Sequence, residues 1–218
     1  MVKTIGLVIL TSLLTACGAM GYVKTNDPAV KTQQAYSLMS QDRFLMAEDY
    51  LLSALRILKE NPNRGVEADV HFSLGNLYKN EGYHRHRTQF ERLGTYDGTY
   101  IKSINHFQKA KELFESVNSE VGVAKSLLGL GGAYGLSGDE KRGCAALRSA
   151  LKVYNTAKSE GRITSEPGLI TSEPIILNPN YKTVGEIVMV RICSNCMEQP
   201  LATKEACFSH FKKIADSK

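Results

Sequence analysis

An internal repeat fixes the kind of architecture open to this chain. Ala35, Gly75 and Gly131 are equivalent small residues; three positions after each stand Leu38, Tyr78 and Tyr134, and seven after each stand Asp42, Gly82 and Gly138. In the first and third copies the series continues as Ala47/Gly143, Leu51/Leu147 and Ala54/Ala150. The second copy resumes it sixteen residues late, as Ser103, Phe107 and Ala110. Copies one and two lie forty residues apart and copies two and three fifty-six, the excess being the same sixteen residues, approximately Tyr83 to Gly98. Self-similarity at such a period marks a stack of supersecondary units, each too small to bury its own apolar face alone.

Each copy reads as two helices around a turn. In Leu74-Gly75-Asn76-Leu77-Tyr78 and Leu130-Gly131-Gly132-Ala133-Tyr134, Leu and Tyr fall four apart on one helical face with a small residue between them. Glycine inside a helix costs about 1 kcal/mol against alanine, so Gly75 and Gly131 point to close approach of two backbones. The Leu and Tyr residues are candidate core. This pattern is similar to the tetratricopeptide repeat, here at a spacing of forty residues. The resemblance implies an all-α solenoid of about three helical hairpins over residues 28–159. Copy one departs from the family pattern at Lys31 and Gln34, as a polar terminal cap does. The resemblance further implies a peptide-binding groove on the first helix of each repeat. The matching positions are Tyr36, Met39, Asp69, Phe72, Asn76, Lys79, Lys125 and Leu128.

The first residues carry a different message. Lys3 precedes an apolar run from Ile5 to Leu14, too short to span a bilayer and the right size for an export signal. Leu14-Thr15-Ala16-Cys17-Gly18 follows and resembles the lipobox of bacterial lipoproteins. That resemblance implies removal of a signal peptide 1–16, acylation of Cys17 and a short tether over 17–27. Gly18, where inner-membrane members often carry Asp, implies the outer membrane.

The insertion holds His84-Arg85-His86-Arg87, Arg92 and three aromatics, Tyr83, Phe90 and Tyr96. As a long loop on a repeat scaffold it is either solvated or a contact site for an acidic or phosphate-rich partner. His84 and His86 lack nearby carboxylate or Cys companions for a metal. Beyond Ser159, Ile163-Thr164-Ser165-Glu166-Pro167 recurs as Ile170 to Pro174, and with Pro179 it marks an irregular connection over 160–181.

Helical spacing returns over Val184 to Met197 and Ala202 to Ile214, a last hairpin (residues 182–218) with Glu198-Gln199-Pro200 as its turn. It carries Cys193-Ser194-Asn195-Cys196, then Cys207 and His210. Met197 stands where haem attachment would need His. Cys193, Cys196, Cys207 and His210 have a spacing that could hold zinc, and a redox-active pair is a further alternative. With Cys17 acylated, four cysteines remain for an oxidising compartment, which favours structural disulfides. Cys193 and Cys207 are each seven residues from Pro200 and so lie level across an antiparallel hairpin. That pairing leaves Cys196 for Cys144 in the third repeat.

No nucleophile elbow, phosphate loop, dinucleotide fingerprint or His-Glu-x-x-His motif occurs, so no cofactor is expected. A net charge of +5 over 218 residues is too thin for a dedicated nucleic-acid surface, and 43 % hydrophobic residues exclude a disordered chain. The expectation is a non-enzymatic, lipid-anchored adaptor or assembly factor for other envelope proteins, such as those of a pilus, a secretion channel or outer-membrane assembly. The alternatives are a structural subunit of a periplasmic or surface complex, and a thiol-dependent redox or zinc-binding protein.

Overall fold

The structure is a computed structural model that describes residues 25–163, 183–198 and 203–216. Of these, 79 % are helical and none lies in a strand, so the fold is all-α as the periodicity requires. The signal segment 1–16, the lipidation site Cys17, most of the tether, positions 164–182 of the connection and Gln199-Pro200 of the last turn lie outside the described residues.

Helices α1 (Pro28–Ser40) and α2 (Phe44–Glu60) form the first hairpin, and α3 (Arg64–Lys79) and α6 (Ile101–Ser116) the second. Helices α7 (Glu120–Leu136) and α8 (Glu140–Ser159) form the third, followed by α9 (Val184–Asn195) and α10 (Lys204–Asp216). Side-chain caps fix several of these starts. Asp27, Asn63, Ser119, Asp139 and Thr183 accept the orphan backbone N–H groups of α1, α3, α7, α8 and α9. The α1–α2 and α7–α8 turns reverse through a left-handed residue at the equivalent repeat position, Asp42 (φ 60°) and Gly138 (φ 83°).

The first helices of successive units touch one another, α1 to α3, α3 to α7 and α7 to α9. Each second helix also packs on the first helix that follows it, α2 on α3, α6 on α7 and α8 on α9. Helix α3 is a shared wall. Val70, Leu74, Leu77 and Tyr78 face a core with α1 and α2, whereas Ala68 and Phe72 join a second core that runs through α6, α7 and α8 to α9. Small residues make these approaches possible. A Cβ placed on Gly75 would stand 2.8 Å from the ring of Phe107, and one on Gly129 would also drive into that ring.

The insertion is not the long loop expected from its length. It folds as two short helices, α4 (Glu81–Arg85) and α5 (Arg87–Arg92), whose aromatic residues join the core of α1, α2 and α3. Tyr83 and Phe90 are fully buried, their rings 4.4 Å apart, and Tyr96 stacks on Tyr83. Asp97 N–H donates to the Tyr83 hydroxyl (2.7 Å), which donates to the Thr95 carbonyl (3.0 Å). Three aromatics in a short segment bury enough apolar surface to order it.

Candidate functional site: a groove along the first helices

A groove of about 640 Å³ runs between α1, α3 and the start of α7, closed at one end by the α6–α7 turn. Gln33 and Tyr36 of α1 form one wall, Asp69 and Phe72 of α3 the floor, and Val121 and Lys125 of α7 the other wall. The three- and four-residue spacings on each helix put these pairs on one face.

The groove is held in shape by its own bonds. Ser73 spends its single proton on the Asp69 carbonyl (2.6 Å), leaving its oxygen to receive the Tyr36 hydroxyl at 2.6 Å, so α1 is fixed to α3 across the floor. Phe72 meets Phe107 edge to face at 5.6 Å between centroids. The Asp69 side chain reaches solvent, but the surrounding walls desolvate it and push its carboxyl above the usual range, an effect Lys125 partly offsets. An apolar trough with a crowded carboxylate on its floor and an ammonium on one wall suits an extended segment of mixed character.

Of the eight expected groove residues, Tyr36, Asp69, Phe72 and Lys125 line this space, and Met39, Asn76, Lys79 and Leu128 do not. Met39 and Leu128 are core residues at 6 % and 8 % exposure. Lys79 sits with its ammonium 5.2 Å from the Phe107 ring centre. Asn76 is buried, and neither carboxamide atom has a partner among the described residues. Gln33, Ser73 and Val121 are groove residues that sequence reasoning missed; each lies three or four positions from a residue it named or faces.

The basic residues of the insertion are engaged within the molecule. Arg85 and His86 both bind the Asp42 carboxylate in the α1–α2 turn, at 2.8 and 3.1 Å, and hold its carboxyl below the usual range. Arg87 pairs with Glu91 at 2.6 Å and lies over the Tyr96 ring. His84 Nδ1 is 3.1 Å from the Tyr96 hydroxyl, and burial pushes its pKa down. Arg92 is exposed. The cluster that reads as a basic contact patch is in large part the clamp that fastens the insertion to the first hairpin.

Cys193 pairs with Cys207, as the hairpin register predicts, and the remaining Cys196 pairs with Cys144 where α9 docks on α8, with Cα separations of 5.8 and 5.5 Å. The alternative zinc set of Cys193, Cys196, Cys207 and His210 is therefore not assembled, its three sulfurs being bonded elsewhere. Among the described residues no three His, Cys, Asp or Glu side chains are grouped to hold a metal. No helix among them is long and apolar enough to cross a membrane. Compared with protein-family models, curated proteins and solved structures, the chain matches none. The functional reading accordingly stands on the geometry of the groove.

Proposed function

We propose that this chain is a non-enzymatic adaptor, a tetratricopeptide-like solenoid carried on the periplasmic face of the outer membrane by lipid at Cys17. In this reading its groove receives an extended segment of another envelope protein during assembly of a larger machine. The observation that carries the reading is the trough shared by α1, α3 and α7, which draws its walls from all three hairpins. A ligand lying there touches every repeat at once and gains from their fixed relation, the usual advantage of a stacked binding surface. Gln33 is exposed and Phe72 half-buried, so polar and apolar contacts are both on offer. The lipobox-like sequence around Cys17 supplies the proposed tether.

A photocrosslinker at Gln33 tests it in native envelopes. The expected result is one dominant adduct that disappears with Phe72→Ser or Lys125→Glu and persists with Lys109→Ala on the α6 surface. Adducts unchanged by the groove variants would remove the groove from the mechanism. Metabolic labelling with a fatty acid tests the anchor separately: label should be present on the native chain and absent from Cys17→Ala.

A further inference from the structure

The two disulfides occupy different settings. Cys193 and Cys207 are both wholly inaccessible, sealed between α9 and α10. Cys144 and Cys196 are half-exposed, and Cys196 forms part of the wall of a second cavity of about 430 Å³ between α8, α9 and α10. Leu151, Ile192 and Phe211 give this cavity apolar walls, while Arg148 and Lys152 bring positive charge to it, and no carboxylate among the described residues lines it. Arg148 donates to the Cys196 carbonyl at 3.2 Å, so the guanidinium is held at the backbone of one of the paired cysteines.

We propose that Cys144–Cys196 is a thiol-exchange site, and that the cavity beside it receives a dithiol polypeptide with acidic and apolar residues around its reactive thiol. Exchange requires a thiolate to approach one sulfur in line with the bond to the other. Cys196 lines the cavity and Cys144 does not, which makes Cys196 the sulfur attacked and Cys144 the one expelled. The incoming thiolate forms a bond to Cys196 Sγ as the Cys144–Cys196 bond breaks, and the electron pair leaves on Cys144 Sγ. Cys144 lies one helical turn before Arg148, whose positive charge favours the departing thiolate. The partner's second thiolate then attacks its own sulfur in the mixed disulfide and releases Cys196. In all, two electrons and two protons pass to this chain, which becomes a dithiol, and the partner becomes a disulfide. The buried Cys193–Cys207 bond takes no part and keeps α9 and α10 joined while the link from α9 to α8 opens. The inference stands apart from the groove, which lies on other helices.

The test uses the oxidised full chain. Limiting dithiothreitol followed by alkylation and peptide mapping should label Cys144 and Cys196 at least about tenfold faster than Cys193 and Cys207. The charge preference is read with anionic mercaptoacetate and cationic cysteamine, each rate being divided by its rate on 2-hydroxyethyl disulfide. The native chain should favour mercaptoacetate by about threefold or more, and Arg148→Gln/Lys152→Gln, both at the surface, should bring the ratio to about one. Equal labelling of the two disulfides overturns the exchange site. A ratio that the double variant leaves unchanged overturns the acidic partner.

Discussion

Phe107 shows how one side chain sets the spacing of three helices. Its ring is fully buried against Gly75 of α3 and Gly129 of α7, where any Cβ would overlap it. Because the ring is packed on all sides it has no room to yield, so Gly75→Ala or Gly129→Ala should destabilise by about 1–3 kcal/mol despite alanine's better helix propensity. In urea titrations Gly129→Ala/Phe107→Leu should recover part of the Gly129→Ala loss; full additivity would show that the glycine answers to something else. A second residue-scale feature lies between two of these helices, α3 and α6. His71 and His106 approach with 2.8 Å between their Nδ1 atoms, and Tyr78 stacks on His106. One neutral ring can donate to another, whereas two imidazolium rings cannot. Burial, with Lys109 near His71, and burial, with His71 and Lys102 near His106, pushes both pKa values down to about 4. An unfolded histidine titrates near 6.5, so between about pH 6.5 and 4 the unfolded chain binds protons that the native one refuses. Stability from the pair is therefore present above pH 6.5 and should fall by up to about 6 kcal/mol as pH drops to 4. Glu48 and Asp69, whose carboxyls are pushed up by burial, act in the opposite direction. Comparison with His71→Gln/His106→Gln isolates the histidines: its stability curve should be flatter over that interval, and an unchanged slope would sink the assignment.

At the scale of elements the insertion gives the clearest contrast between what sequence conveys and what packing decides. Tyr83 is buried and bonded through its hydroxyl at both Thr95 and Asp97. Tyr83→Phe should cost about 1–2 kcal/mol by leaving the Asp97 N–H unpaired and the Thr95 carbonyl with Lys102 alone, and Tyr83→Ala about 3–5 kcal/mol with faster hydrogen exchange from Arg87 to Gly98. A Tyr83→Ala chain of native stability would make the insertion an ornament. The helical hairpins were legible because Leu74, Leu77 and Tyr78, and Leu130 and Tyr134, repeat at a helical period that burial then uses directly. The pairing of Cys193 with Cys207 was legible because a hairpin converts distance from its turn into level across it. The insertion was not, since His84 to Arg87 look like a charged surface until Asp42, 43 residues before Arg85, is brought against Arg85 and His86. Nor was the split among groove positions. Met39 and Leu128 sit at equivalent helical faces to true groove residues, but how deeply a neighbouring helix covers them depends on helix separation, which periodicity does not encode.

Across the whole molecule the contacts run between neighbours in the stack. Helices α1 and α2 reach the rest mainly through α3 and the insertion that follows it, and α9 through α7 and α8. Such an arrangement makes stability nearly a sum of local terms, so a defect at one end should be felt mainly by its neighbours. Tyr154 is well placed to examine this. It is 2 % exposed, and its ring fills the space left by Gly185 where α8 meets α9. Tyr154→Ala should cost about 3–5 kcal/mol as measured on α8 and α9, from lost burial and the cavity left behind. Amide exchange followed by mass spectrometry should speed up in α8, α9 and α10 and stay near native rates in α1 and α2, whose core shares no residue with Tyr154. Equal acceleration in every helix would mean that the hairpins unfold as one body, and the nearest-neighbour description of the stack would fail.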